Sequence, residues 1–107
     1  MFARKQTLTI ATGATVSDAF DSRNCEQTGV VIPAAFTGVA LTFQVSHDGG
    51  TYQALYDATN TLVSVTVAPG RSYALPAALG SWPHWKVVSG AAEAAARSLV
   101  VVGKGAR

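Results

Sequence analysis

The sequence predicts an all-β domain, a single antiparallel β-sandwich or jelly roll of roughly eight strands, and three observations carry that prediction. Short runs rich in Val, Thr, Tyr, Phe and Leu recur along the chain. Gly, Pro, Asn, Asp and Ser separate them at the spacing of about 8 to 12 residues found in sandwiches and barrels. Only residues 91–96 favour a helix, and an isolated helix that short is marginal in water, so this stretch reads as a loop with one helical turn at most.

The elements follow in order. Residues 6–11 open the first strand, Gly13 breaks it, and residues 15–20 continue before the polar group Asp21, Ser22, Arg23 and Asn24. The second strand is therefore expected to be short or irregular. Residues 27–32 make a compact Val-Val-Ile run closed by Pro33, which has no N–H for a sheet ladder and marks an end or an edge. Residues 38–46 are the clearest strand, because Val39, Leu41, Phe43 and Val45 alternate with Ala40, Thr42, Gln44 and Ser46.

His47, Asp48, Gly49 and Gly50 supply hairpin chemistry, since Asp-Gly and Gly-Gly tolerate the positive φ angles of tight turns. Residues 51–56 return as the partner strand, 57–60 turn again, and 61–67 alternate Val63, Val65 and Val67 with Leu62, Ser64 and Thr66. After Pro69 and Gly70 come a short strand at 71–75, a loop at 76–83 holding Trp82, and an extended segment at 84–89 around Trp85, Val87 and Val88. Residues 98–102 close the domain as a continuous apolar strand, expected to be buried on both faces.

At 107 residues and 11.0 kDa the chain reads as one domain, 1–107, with short basic arms at 1–5 and 103–107. A lone cysteine, Cys25, allows no internal disulfide, and no Cys/His cluster offers a structural metal site. Packing must supply the stability. No stretch near the N-terminus has the apolar length of a secretion signal, and the apolar run at 99–102 is far short of the roughly 20 residues of a membrane span. Assembly in a reducing cytoplasm, away from membranes, is the expectation.

Charged residues make up 13% of the chain, about half the usual 25%. Hydrophobic residues make up 49%, so part of the surface is expected to be covered by partners. The net charge of +2 rests on 8 basic residues against 6 acids, scattered without the aromatic interleaving of a nucleic-acid groove. Arg4 and Lys5 lie near one terminus and Lys104 and Arg107 near the other, where they could reach acidic neighbours in an assembly or simply be solvated.

Catalysis is not expected. The two histidines, His47 and His84, sit in no recognisable motif, and a nucleophile needs a base that is itself oriented. Asp48 and Asp57 flank one hairpin and would suit glycoside hydrolysis only if held in a cleft; aspartates in turns ordinarily shape the turn. The glycines form no phosphate cradle, and the 47–50 turn has too few oxygen ligands for calcium. No cofactor and no metal is implied. Trp82, in a Gly/Ser/Pro loop, could present its ring to a sugar, or cap the core, or anchor a neighbouring subunit.

The segment GVALTFQVSHDGGTYQALYDATNTLVSVTVAPGRSYAL at 38–75, followed by WPHWKVVSG, an Ala-rich loop and a Val-rich last strand, resembles small sandwich domains of tailed-bacteriophage structural modules. The strand, Ser-x-Asp-Gly and Tyr pattern also resembles discoidin-like jelly rolls. The phage resemblance implies a virion protein without enzymatic activity, of the capsid decoration or cement type. It would act on the capsid surface by contacts with the major capsid protein and with copies of itself, as a small oligomer such as a trimer. The alternative is a carbohydrate-binding or tail, baseplate or spike adhesion module. No binding residue is carried over by the resemblance; Arg4, Lys5, Trp82, Lys104 and Arg107 are candidates from their own chemistry.

Overall fold

Leu8, Ile10, Phe20, Leu41, Phe43, Trp85, Val87, Leu99 and Val101 all lie fully buried in one cluster, and the alternation that puts them there organises the whole molecule. The computed structural model describes residues 2–22 and 27–105. It has nine strands among them: β1 (Phe2–Ile10), β2 (Val16–Asp21), β3 (Gln27–Val31), β4 (Ala40–Ser46), β5 (Gln53–Ala54), β6 (Ser64–Thr66), β7 (Ser72–Ala74), β8 (His84–Ser89) and β9 (Arg97–Gly105). A short 3-10 helix, Ala77–Ser81, lies between β7 and β8.

Every strand pair is antiparallel, and the path runs β5-β4-β8-β2-β1-β9-β3-β7, with β6 also on β4. The path folds at β1 and β2, which meet in register only at Ile10 and Ser17. One half holds β1, β9, β3 and β7, the other β2, β8, β4, β5 and β6. Their apolar faces turn toward each other, as in a sandwich. Leu8 and Leu99 pair across β1 and β9 on one inner face; Phe20 and Trp85 pair across β2 and β8 on the other. Trp85 is the centre, with its ring 4.9 Å from Phe20 and edge-on to Phe43 at 6.0 Å. Its Nε1 is buried with no hydrogen-bond partner among the described residues, a cost of about 1–3 kcal/mol that the ring's packing must exceed.

The period-2 reading of 38–46 holds from Leu41 to Val45, where Leu41, Phe43 and Val45 are buried and Thr42 and Gln44 half-buried. It fails at the ends, because the strand begins only at Ala40, leaving Val39 with 71% of its surface exposed, and Ser46 is buried where its hydroxyl bonds the following turn. The second strand is irregular as expected. Its register with β8 shifts between Val16 and Ala19, and there the Ser17 hydroxyl accepts from the Val87 N–H at 3.0 Å and donates to the Asp18 carbonyl at 2.7 Å. Pro33 follows the end of β3, and its carbonyl accepts from Phe36 N–H and Gly70 N–H. The stretch 91–96 has no helical residue.

Three expectations need correction. The ends at 1–5 and 103–107 are not arms over their described length: β1 and β9 pair continuously from Phe2 with Gly105 to Ile10 with Arg97, because nine residues of ladder satisfy backbone groups that free tails would leave to water. The last strand is longer than 98–102 and is buried on one face only. Leu99, Val101 and Gly103 face the core, while Val102 keeps 42% of its surface exposed. The returning strands around 51–67 are much shorter than the sequence suggests, because turn hydrogen bonds take over where the ladder stops. Between β5 and β6 only Tyr56 and Leu62 pair, and Asp57 holds the tip.

Candidate functional site

The geometry separates a surface that could bind from groups that only hold the fold. Alternation along β1, β9, β3 and β7 sends every second residue outward. On β9 these are Ser98, Val100, Val102 and Lys104; on β1, Lys5, Thr7 and Thr9; on β3, Gly29 and Val31; on β7, Ser72 and Ala74. The register arranges them in rows across the half-sheet. Lys5, Val102, Gly29 and Ala74 form one row, and Thr7, Val100, Val31 and Ser72 the next. The outer face thus carries a stripe of three valines, with Val31 at 41% and Val102 at 42% exposure.

In the first row the valine is followed by a bare hydrogen and a methyl group, which leaves a trough. A groove of about 510 Å³ lies there, lined by Thr28, Gly29, Ala74, Leu75, Ala77, Val102 and Lys104. Gly29 forms its floor; a Cβ there would sit 3.2 Å from the Tyr73 carbonyl and 3.5 Å from Val102 Cγ2. The other half-sheet presents a different outer face. Thr42, Gln44, Ser64, Thr66, His84 and Lys86 point outward, and the Lys86 ammonium lies 4.4 Å from the centroid of the Tyr52 ring.

Of the candidate binding residues, the structure brings Lys5 and Lys104 together on this outer face, where both are exposed and flank Val102. Arg4 lies in β1 opposite Gly103; its side chain is outside the described part of the structure, as is the whole of Arg107. Trp82 is elsewhere. Its half-buried side chain packs against the core cluster, and its carbonyl accepts a hydrogen bond from the Ser22 hydroxyl. Among the three readings of Trp82, its contacts are those of a core cap.

The acids are occupied by their own turns. Asp48 Oδ1 accepts from the Ser46 hydroxyl at 2.9 Å and from the N–H groups of Gly50 at 2.8 Å and Thr51 at 3.3 Å. The Gly50 bond first, then Ser46 and Thr51, lower its pKa to about 2. Asp57 Oδ1 accepts from the hydroxyl and N–H of Thr59 and from Thr61 N–H, which also hold its carboxyl below the usual value. Such carboxyls hold no proton to donate near neutral pH, as a glycosidase acid must. Cys25 lies outside the described residues, and among those described no three His, Cys, Asp or Glu side chains gather as metal ligands.

Glu93 was not singled out by the sequence, yet its carboxylate is held by side-chain and backbone donors from three separate parts of the chain. It is buried in the loop after β8, where Oε1 accepts from Arg97 Nε at 2.9 Å and Thr37 N–H at 3.1 Å. Oε2 accepts from the Thr37 hydroxyl at 2.9 Å and Gly38 N–H at 3.1 Å. Burial opposes its ionisation, but the bonds from Arg97, Thr37 and Gly38 outweigh that and keep its pKa below the usual glutamate value. With two bonds to Oε1 and three to Oε2, the third a longer one from the Ser89 hydroxyl at 3.5 Å, the group is a clasp between the 33–39 and 90–96 loops. The only signal in the sequence was an acid four residues before an arginine in an alanine-rich stretch.

No protein-family model matches the chain, and no curated protein matches it in sequence. Among solved structures, the fold is similar to that in the crystal structure of the SPBc2 prophage-derived protein YomS, with a TM-score of 0.57 over 96% of this chain and 95% of that one, at 14% identity. The chain therefore shares, along nearly its whole length, the all-β fold of a prophage-derived protein.

Proposed function

We propose that this chain is a non-enzymatic structural protein of a tailed-bacteriophage virion, a capsid decoration or cement protein that binds the major capsid protein on the head surface. The observation that carries the reading is the valine stripe Val31, Val100 and Val102 on the outer face of β9 and β3, unpartnered in the isolated chain and bordered by Lys5 and Lys104. A buried valine contributes about 1.5–3 kcal/mol relative to an exposed one, so a shallow face of this kind gains most when many copies repeat the contact on one particle.

The likeness to a prophage-derived fold supports a phage setting, and the low charge content suits a surface that partners cover. The carbohydrate-binding alternative has less to stand on, because the half-buried Trp82 packs against the core cluster. Contacts between copies complete the proposal, with the exposed Tyr56 and Leu62 of the β5–β6 hairpin as apolar surface away from the valine stripe.

The test is to mix the purified chain with heads of the phage that encodes it. Saturable binding at a fixed copy number per head, with heads that survive higher temperature, is the expected result. Heads that sediment without the chain, or a chain that binds tail fibres or glycans instead, would contradict it.

A further inference from the structure

Resting on the reading of the outer face as the contact surface, we infer that the trough over Gly29 receives an extended, acidic and apolar segment of the partner protein. An aliphatic side chain would seat on Val102, Gly29 and Ala74, and a neighbouring carboxylate would meet Lys104 and Lys5.

The shape follows from the row Lys5, Val102, Gly29 and Ala74. Adjacent strands lie about 4.8 Å apart, so two neighbouring positions with almost no side chain leave a step about 10 Å wide between Val102 and the sheet edge at β7. That width suits one extended chain. The volume, about 510 Å³, falls within the range of about 300–1,000 Å³ typical of sites that enclose a ligand group. The walls are aliphatic or methyl surface, and Lys104 is the one charged residue among those that line the groove.

Charge then selects the occupant. At the outward positions of β1, β9, β3 and β7 described above, the charged residues are Lys5 and Lys104, and none is acidic. A second copy laid on this face would set lysines against lysines as the contact loses water, which is penalised. An acidic segment reverses the sign. Nucleic acid would bring charge of the right sign, but an aliphatic floor between two lysines gives it neither stacking rings nor a cationic track.

The test uses the intact chain and two capped hexapeptides, one alternating Asp with Leu and one alternating Lys with Leu, followed by amide NMR shifts. The acidic peptide should move the resonances of Gly29, Ala74, Val102 and Lys104, and the basic peptide should not. Ala74→Trp, which fills the trough, and Lys104→Glu, which reverses its charge, should each weaken the acidic peptide by about tenfold or more. Both positions are exposed, so melting temperatures should stay put. Equal response to the two peptides, shifts centred elsewhere, tighter binding of a thymidine oligonucleotide, or unchanged affinity in both variants would overturn the inference. Heads supply the separation from the broader reading. If Ala74→Trp and Lys104→Glu bind heads as well as the unaltered chain does, the trough is refuted and the face remains; peptide binding without head binding keeps the trough and refutes the virion role.

Discussion

Val102 stands opposite Gly29 across β9 and β3, so a valine with 42% of its surface exposed overlooks a position with no side chain. Three residues earlier in the same strand, Leu99 is completely buried against the other half-sheet. The two faces of β9 should answer mutation differently. Leu99→Ala is expected to lose about 2–5 kcal/mol of stability, and Val102→Thr less than about 0.5 kcal/mol. Urea unfolding of both variants checks this, and a large loss for Val102→Thr would mean that the outer face is core.

Glu93→Ala removes one partner from a buried network and leaves Arg97, Thr37 N–H and Gly38 N–H without their acceptor. Loss of one member of a buried ion pair costs about 3–5 kcal/mol. Equilibrium unfolding should show a loss of that order. Because the clasp joins the loops at 33–39 and 90–96, hydrogen exchange should rise at both.

Acid should weaken the fold in a predictable window. Glu93 has a folded pKa below the ordinary glutamate value of 4.5, so its contribution is fully present above pH 4.5 and is lost as pH falls through the folded value. Asp48 acts in the same sense between 3.8 and about 2, and Asp57 below 3.8. Melting temperature should therefore be flat from neutral pH to about pH 5 and fall progressively below it. In Glu93→Gln the first part of that fall should be shallower. An identical slope in the variant would remove Glu93 from the account.

Gly38 is needed for lack of space. A Cβ there would lie 2.5 Å from Ser89 Oγ and 3.0 Å from the Phe36 ring, beside the N–H that holds Glu93. Gly38→Ala should cost about 1–3 kcal/mol as the neighbours are pushed aside. At Gly90 the nearest atom to an added Cβ is the Ala40 carbonyl at 3.5 Å, an ordinary contact, so Gly90→Ala should leave the melting temperature nearly unchanged. Thermal melts of the pair decide the matter.

Local pattern made much of the fold legible. Leu41, Phe43 and Val45 announce one buried face because the pleat repeats every two residues, and Pro33 announces the end of β3 because it cannot donate to a ladder. The final valine run misled for a physical reason: valines that face the core and valines exposed on the outer face alternate along one strand, and the residue type is the same on both. Lys5 and Lys104 could be picked out as basic residues near the two ends, but their meeting on one face depends on β1 and β9 pairing across the whole length of the chain. The Glu93 clasp was hidden in the same way, since its acceptor role is set by Thr37, 56 residues distant.

The outer face of β9 and β3 as the contact surface is the central claim, and head binding by a Val31→Asp, Val102→Asp double variant tests it most directly. Both side chains are exposed in the isolated chain, so the variant should melt close to the unaltered protein while its affinity for heads falls by about a hundredfold or more. A variant that folds and still binds heads with undiminished affinity would contradict the account.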